Sequence, residues 1–186
     1  MILFLDTETT GLPKSRNAPP EVTDMWPRMV SVAWISSLPS DTECEEHIIK
    51  PDGYTIPTAA SNVHGITTKH AMENGKDIET VMQVLADKLK DCSHIACYNV
   101  QFDKSVLLSE AHRMQNWTLV NLLKGIKWYC VMKRVKNHLS LKNYIKLSVA
   151  HGMICCEMTD KTYEYHNAGD DVLATRDIMF SILGEV

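Results

Sequence analysis

The sequence lacks the features that mark membrane, secreted and repeat proteins. No apolar run reaches 18 residues, the length at which a helix begins to span a bilayer. The apolar start at residues 1–5 is too short for a signal-peptide core, and no basic leader precedes it. No internal repeat, low-complexity tract or interdomain linker interrupts the 186 residues. We therefore expect one cytoplasmic domain over residues 1–186, with enough chain to bury a core and no membrane contact.

The cysteine pattern lacks the spacings of zinc sites and of redox motifs. The six cysteines form no CxxC pair. Two of them, Cys155 and Cys156, are adjacent, which is a poor framework for structural disulfides. Reduced thiols are the economical interpretation, and they agree with a cytosolic protein.

A surplus of basic residues is also absent, since the net charge is −4, but the charge is unevenly distributed. Residues 104–146 contain nine Lys or Arg and one acid, a net +8, which leaves −12 for the rest of the chain. This asymmetry is compatible with a nucleic-acid path beside an acidic, metal-binding site. A solvated helical face is the alternative. The densest basic group is Lys133, Arg134, Lys136 and Lys142. We expect the first three to contact phosphates of a bound strand.

The first thirteen residues carry the most informative pattern. Five apolar residues lead into Asp6, Thr7 and Glu8, and a turn signal at Gly11 and Pro13 closes the segment. This pattern predicts a buried central strand. Because strand side chains alternate, Asp6 and Glu8 project from one face about 7 Å apart. Two buried carboxylates favour a divalent metal between them, whereas two solvated acids at a strand end are the alternative.

Hydrophobic patterning predicts four further strands and several helices. The strands are expected at residues 29–35, 46–50, 95–98 and 128–132, the first two forming a hairpin. Helices are expected from Asp77, after Asn99 and over residues 139–150. Residues 14–27 contain several prolines and predict a loop.

The last helix has a clear start signal. Asn167 followed three residues later by Asp170 resembles a capping box, with Asp in place of the usual Glu. An apolar stripe follows, made of Ala174, Ile178 and Ile182. Asp171 lies on this stripe at its N-terminal end, so one carboxylate is expected to face inward. His166 directly precedes the cap.

Three of these polar residues have ordinary explanations when taken separately. Asp103 could be a first-turn acid that the helix dipole favours, and His166 could be an exposed turn histidine. Asp171 could pair with Arg176 or with a lysine. In chain order, however, they form one set with the two acids of the first strand.

Three motifs carry this set: Asp6-Thr-Glu-Thr-Thr-Gly-Leu12, Asn99-Val-Gln-Phe-Asp103 and His166-Asn-Ala-Gly-Asp-Asp171. Their order and spacing resemble the DEDDh 3′–5′ exonucleases, the DnaQ-like family of the proofreading epsilon subunit of bacterial DNA polymerase III. The first motif is the most specific, and together the motifs cover nearly the whole chain. The resemblance implies an α/β, RNase H-like fold: a mixed five-stranded sheet with an antiparallel three-strand meander, flanked by helices.

The resemblance implies that four acids hold two divalent ions: Asp6, Glu8, Asp103 and Asp171. Asp6 would bridge both ions with Glu8 beside it. Asp171 would hold the ion that carries the nucleophilic water, and Asp103 would help to hold the other. Four carboxylates suit two Mg²⁺, which Mn²⁺ can replace, whereas His and Cys clusters favour zinc. His166 is implied as the general base, since imidazole accepts a proton near neutral pH.

The resemblance also implies substrate contacts outside the acidic set: Thr7, Thr10, Leu12, His64, Asn99 and Phe102. Leu12 could wedge against the terminal base, because every base offers a stacking face. Phe102 is equally compatible with core packing. The chain departs from the family at Tyr98, where many relatives have His, and in the long loop that ends in Trp26-Pro27-Arg28. Both departures bear on substrate choice.

The leading hypothesis is a metal-dependent 3′–5′ exonuclease that releases nucleoside 5′-monophosphates from DNA 3′ ends, single-stranded or frayed. It would act by itself or as a proofreading subunit with a DNA polymerase. A 3′–5′ exoribonuclease that trims RNA ends or degrades oligoribonucleotides is the alternative, because no residue reads the 2′-hydroxyl group unambiguously. A non-catalytic interaction module is the third hypothesis, and the five intact site residues argue against it.

Overall fold

The computed structural model describes residues 1–155 and 163–184. These residues contain a mixed five-stranded sheet, whose strands are β1 (Ile2–Thr9), β2 (Met29–Ser36), β3 (Glu45–Ile48), β4 (His94–Cys97) and β5 (Lys127–Cys130). The order across the sheet is β3-β2-β1-β4-β5. β2 runs antiparallel to both β1 and β3, and β4 pairs in parallel with both β1 and β5. The predicted α/β class and antiparallel meander are confirmed.

Helices cover both faces of the sheet. They are α1 (Thr58–His64), α2 (Thr68–Asn74), α3 (Ile78–Leu89), α4 (Val100–Arg113), α5 (Trp117–Gly125), α6 (Val131–His138), α7 (Leu147–Ile154) and α8 (Ala168–Leu183). A short 3-10 helix, Thr23–Met25, lies between β1 and β2. One core packs against α3, α4 and α5, and the other packs against α6, α7 and α8. None of the helices in the described residues is long and apolar enough to cross a bilayer.

β1 is central because its side chains enter both cores. Three of its apolar residues are fully buried: Leu3, Phe4 and Leu5. Burial of each such side chain contributes about 1.5–3 kcal/mol, which holds the strand between the two helical layers. The same alternation turns Asp6 and Glu8 toward α8 and turns Thr7 toward α4. The end of β1 therefore presents polar groups to both layers.

The strand expected at residues 128–132 is shorter than predicted. It ends at Cys130, and Val131 begins α6. Val131 and Val135 are one helical turn apart, and both are fully buried in the core on the α8 face. The packing of this apolar pair therefore decides the end of the strand, which the local aromatic pattern did not reveal.

The helix expected over residues 139–150 is wrong for its first two thirds, residues 139–146. α7 begins at Leu147, and Ser140 has a φ of +52°, which an α-helix does not contain. The patterning also missed α5. Asn116 caps that helix, because its side chain accepts the Leu119 N–H at 3.0 Å.

A buried ion-pair cluster ties α4 to the start of β2. Glu110 is fully buried, and its carboxylate accepts a hydrogen bond from Arg28 Nε at 3.0 Å and forms an ion pair with Arg113 Nη1 at 3.0 Å. The Met29 N–H donates to the same carboxylate at 2.9 Å. Loss of one partner from such a cluster costs about 3–5 kcal/mol, because a buried charge is left uncompensated. The cluster thus fixes α4, and with it Asp103, against the sheet.

Backbone hydrogen bonds close the base of the loop between β1 and β2. The Thr10 N–H donates to the Arg28 carbonyl at 2.9 Å, and the Arg28 N–H donates to the Thr10 hydroxyl at 3.0 Å. The Lys14 N–H donates to the Met25 carbonyl at 2.9 Å. Residues 15–24 project beyond this closed base.

Candidate active site

Three carboxylates from distant parts of the sequence meet at the end of β1. Oxygen atoms of Asp6, Glu8 and Asp171 all lie within 4.8 Å of one another. β1 supplies the first two through its alternation, and the first turn of α8 supplies the third. All three residues are half-buried, so the cluster is open to solvent.

The start of α8 positions Asp171. Asn167 Oδ1 accepts the Asp170 N–H at 3.1 Å, which confirms the predicted N-cap. The Asp170 carboxylate accepts the Glu164 N–H at 2.7 Å, and it does not close a capping box on Asn167. Only half of the predicted box is therefore present, and its acid anchors the segment before the helix. The Asp171 carboxylate accepts the His166 N–H at 3.3 Å.

Asp103 reaches the end of β1 from the opposite helical layer. It is 3% exposed, and its Oδ1 accepts the Thr7 hydroxyl at 2.8 Å and the Thr7 N–H at 3.2 Å. This N–H is available because the pairing of β1 with β4 runs only as far as Phe4 and Ala96. β4 then leads into α4. The fourth acid thus enters where the two strands separate.

The four acids raise one another's pKa values. Removal from water raises the pKa of Asp6 well above its ordinary value, and repulsion from Asp103 and Asp171 adds to this effect. Burial, followed by repulsion from Asp171 and Asp103, raises the pKa of Glu8 to about 8. Burial raises the pKa of Asp103 to about 7 against the hydrogen bonds that its carboxylate accepts. Burial also raises the pKa of Asp171 to about 6 against the lowering effect of the His166 N–H.

The cluster has the donor set of a divalent metal site. Within residues 1–155 and 163–184, no Lys, Arg or His side chain forms an ion pair with any of the four carboxylates. The hydrogen bonds that Thr7 and the His166 N–H donate offset only part of the effect, since the pKa values of Asp103 and Asp171 remain raised. Carboxylate oxygens are the ligands that Mg²⁺ and Mn²⁺ prefer. A bound cation would favour the ionised form of every acid, so the residues fit the metal that the resemblance implied.

His166 adjoins the acidic cluster in a left-handed backbone conformation. Its φ is +72°, and the residue is exposed. An aromatic group lies just before it, in which the rings of His151, Tyr163 and Tyr165 have centroids 5.1–6.5 Å apart. The Tyr163 hydroxyl donates to Asp177 Oδ2 at 2.6 Å. These contacts hold the segment that carries His166 against α7 and α8.

Three of the predicted substrate contacts share one surface. Leu12, Asn99 and Phe102 line a cavity of about 450 Å³. Leu12 is 76% exposed, and the Asn99 side chain is exposed without capping α4. Phe102 is partly buried against the core, so it packs and lines the cavity at once.

The other three predicted contacts are engaged inside the protein. The Thr7 hydroxyl donates to the acid of α4, and the Thr10 hydroxyl accepts the Arg28 N–H. His64 is 8% exposed and lines a cavity of about 420 Å³ beside the start of α8. Its Nδ1 accepts the Ile66 N–H at 3.1 Å, and burial lowers the pKa of the imidazole. In this structure Thr7 and Thr10 support the frame of the site.

Two of the three predicted basic residues line a second cavity. Lys133 and Arg134 border a space of about 620 Å³, whereas the Lys136 ammonium lies over the Tyr144 ring, 5.0 Å from its centroid. The two cavities share four residues: Asn99, Gln101, Met132 and Tyr144. They form one continuous surface, which we call the basic groove. It runs from Leu12 and Phe102 at one end to Lys133 and Arg134 at the other.

Sequence reasoning missed Tyr144, which lines both halves of the basic groove. A signal was present, since this aromatic residue lies between Lys142 and Lys146. Aromatic residues interleaved with basic ones are typical of surfaces that bind single-stranded nucleic acid.

A family model described as exonuclease (RNase_T) matches residues 3–179 of the chain. A search of curated protein sequences finds no match. Among solved structures, exonuclease X in complex with 5′-overhanging duplex DNA aligns with a TM-score of 0.66 and 19% identity, over 99% of this chain and 92% of that one.

Two structures of E. coli exonuclease I are also similar to the chain. The complex with a dA16 oligonucleotide aligns with a TM-score of 0.72 and 20% identity, over 98% of this chain and 40% of that one. The zinc-bound complex with single-stranded DNA aligns with a TM-score of 0.69 and 20% identity, again over 98% of this chain and 40% of that one. The chain therefore spans about 40% of the length of exonuclease I. These likenesses confirm the predicted RNase H-like fold.

Proposed function

The chain belongs to the exonuclease family, whose members hydrolyse phosphodiester bonds, and we propose that it removes nucleoside 5′-monophosphates from the 3′ ends of DNA. One observation carries this proposal. Asp6, Glu8 and Asp171 converge within 4.8 Å, and Asp103 joins them from the other side of β1. Such a group is costly without a divalent cation, because burial and repulsion raise the pKa values of Asp6, Glu8 and Asp103, and this cost favours a metal-dependent enzyme over a protein that only binds a partner.

Two Mg²⁺ ions would be held by the four carboxylates of the site, which are Asp6, Glu8, Asp103 and Asp171. Bound divalent ions supply charge relief at the phosphate and a more acidic water. The chain itself supplies the placement. β1 holds two acids rigidly between the helical layers, and Thr7 orients Asp103 through two hydrogen bonds.

His166 is proposed as the general base. Its backbone N–H donates to the Asp171 carboxylate. His166 is exposed beside the acidic cluster, where a water molecule can approach it. A neutral imidazole would take the proton of that water as its oxygen attacks the phosphorus, and the 3′-oxygen of the shortened strand would leave. The left-handed conformation of His166 and the aromatic group before it favour one placement of the residue.

DNA is proposed as the substrate because of the structural neighbours and the groove. Exonuclease X and exonuclease I are both described in complex with DNA. In this chain, Leu12, Asn99 and Phe102 border a cavity large enough for a nucleotide, beside the chain segments that carry the acids. Contacts that do not depend on base sequence, such as those of apolar side chains with the terminal base, suit an enzyme that removes each terminal nucleotide in turn.

The proposal is tested with an oligodeoxynucleotide that carries a fluorophore at its 5′ end, incubated with Mg²⁺, Mn²⁺ or Zn²⁺ or with EDTA. We expect a ladder of labelled products shortened one residue at a time, together with free 5′-mononucleotides, in Mg²⁺ and Mn²⁺ but not in EDTA. Immediate release of a labelled mononucleotide would instead show degradation from the 5′ end, and it would overturn the proposed 3′–5′ polarity. Faster degradation of the matching oligoribonucleotide would assign the enzyme to RNA instead.

Asp6→Asn tests the role of the acids in the same assay. The change preserves the shape of the side chain and removes its charge, so activity should fall to background while the fold persists. Asp91→Asn, which alters an exposed acid before β4, is the matched control and should keep full activity. Near-normal turnover of Asp6→Asn in Mg²⁺ would overturn the metal assignment.

A further inference from the structure

The basic groove is larger than one nucleotide needs. Its two cavities measure about 450 and 620 Å³, and they adjoin along the residues that line both, among them Asn99 and Tyr144. Phe102, at one end of the groove, directly precedes Asp103 in the first turn of α4, so the groove begins beside the acids. Its far end lies along α6, where Lys133 and Arg134 are exposed.

The groove suits a polyanion better than a peptide or an apolar ligand. Its cationic lining residues are Arg16, Lys133 and Arg134, and no described Asp or Glu lines it. Two further lysines lie over aromatic rings of the lining: Lys136 over Tyr144 at 5.0 Å, and Lys104 over Trp128 at 5.5 Å. Positive charge therefore surrounds the groove along its length.

Tyr144 has the exposure and the support of a stacking platform. It is 49% exposed and belongs to the connection between α6 and α7. The connection is anchored directly after it, because the Tyr98 hydroxyl donates to the Ile145 carbonyl at 2.8 Å. Tyr98 itself is 7% exposed, and its own carbonyl accepts the Met132 N–H at 3.0 Å. Tyr98 thus anchors both α6 and the connection between α6 and α7, which lie on either side of this part of the groove.

We propose that the basic groove binds the strand upstream of the 3′ end in single-stranded form, with one base stacked on Tyr144 and its phosphates near Lys133 and Arg134. Tyr98 acts as the residue that positions Tyr144, through its hydrogen bond to the Ile145 carbonyl. This inference rests on the proposed function. The bound strand is single, because a paired base already has both faces covered by its neighbours and cannot stack on a side chain.

The inference is tested by binding rather than by turnover. All variants are placed in an Asp6→Asn background, so that the probe, a ten-residue oligodeoxythymidine with a 5′ fluorophore, is not degraded. Fluorescence anisotropy should show a 5- to 150-fold loss of affinity for Tyr144→Ala, about the effect of removing one base–aromatic stack. Tyr144→Phe keeps the ring and should bind as the parent does. Trp117→Ala removes another exposed aromatic residue outside the groove, and it should also bind as the parent does.

Abasic residues locate the stacked base. An abasic residue moved along the probe should weaken binding of the parent most at one interior position. Tyr144→Ala should be insensitive to the abasic residue at that position, because the two changes remove the same contact. Tyr98→Phe should weaken binding of the ten-residue probe but not of a dinucleotide, with far-UV circular dichroism unchanged.

Two results would overturn the inference: parental affinity for Tyr144→Ala, or equal abasic sensitivity of the parent and this variant at every position. Tighter binding of a blunt duplex than of the single strand would also overturn it. These failures are distinct from failure of the proposed function. An active wild type with an unaffected Tyr144→Ala variant refutes only the groove, whereas a wild type without nuclease activity that still shows the Tyr144 effect refutes only the proposed reaction.

Discussion

Glu8→Gln is expected to stabilise the metal-free protein at pH 8 and to change its stability little at pH 5. Glutamine keeps the shape of the side chain and removes its charge. Burial and repulsion from Asp171 and Asp103 raise the pKa of Glu8 from 4.5 to about 8. Between these values the folded protein binds more protons at Glu8 than the unfolded chain does. The free energy of unfolding of the wild type therefore falls as the pH rises through this window.

The size of the effect follows from the same two values. Each pH unit between 4.5 and 8 corresponds to about 1.4 kcal/mol, so the full difference approaches about 5 kcal/mol at pH 8. Glu8 is partly exposed and its neighbours also gain and lose protons, so screening reduces the expected gain to ~2–3 kcal/mol. At pH 5 the gain should be below ~1 kcal/mol, because Glu8 is then protonated in the folded state and only partly ionised in the unfolded one.

Urea unfolding in EDTA at pH 5, 6, 7 and 8 measures this free energy. Tryptophan fluorescence is a suitable signal, since Trp34 and Trp26 are only 1% and 5% exposed. Glu21→Gln, at an exposed acid of the β1–β2 loop, is the matched control and should change little at any pH. In saturating Mg²⁺ the order should reverse, because only the wild type keeps all its ligands. A gain that is absent at pH 8, or equally large at pH 5, would refute the reasoning.

Two further predictions concern turnover and strand binding. His166→Asn should lower turnover by roughly 10²–10⁴-fold, the usual contribution of a general base, with little change in affinity. Asn is preferred to Ala because it tolerates the left-handed conformation of this position, and a loss of only a few fold would exclude His166 as the base. Replacing Lys133, Arg134 and Lys136 with Gln should weaken binding of long oligonucleotides but hardly that of a dinucleotide. The salt slope should fall by about 0.7 per lost phosphate contact, and unchanged slopes would mean a solvated surface.

The part of the site that depends on local patterns was predictable from the sequence. Alternation along one strand is enough to place Asp6 and Glu8 on the same face. The cap at Asn167 and the apolar stripe after it are enough to turn Asp171 inward. Both signals lie within a few residues, where backbone geometry alone relates the side chains.

The rest depends on contacts between distant segments. The hydrogen bonds from Thr7 to Asp103 exist because β4 ends after pairing with only part of β1, and nothing near Thr7 in the sequence shows that. The end of β5 likewise depends on the burial of Val131 and Val135 against a helix that comes later in the chain. The role of Tyr98 toward Ile145 joins residues 47 positions apart.

The closed base of the β1–β2 loop separates the length of that loop from the geometry at the end of β1. Thr10 and Arg28 form hydrogen bonds with each other, and the Lys14 N–H donates to the Met25 carbonyl. The two ends of the loop are therefore held together independently of the residues between them. Doubling the length of a flexible loop adds only about 0.6 kcal/mol of closure entropy. The carbonyls of Arg16, Ala18 and Thr23 accept side-chain hydrogen bonds from elsewhere in the protein. Residues 19–22, which lie between these contacts, are therefore the place where an epitope tag or a peptide recognised by a partner could be inserted while Glu8 keeps its position. The same freedom lets this segment diverge in length between related chains at little cost to the chemistry beside it.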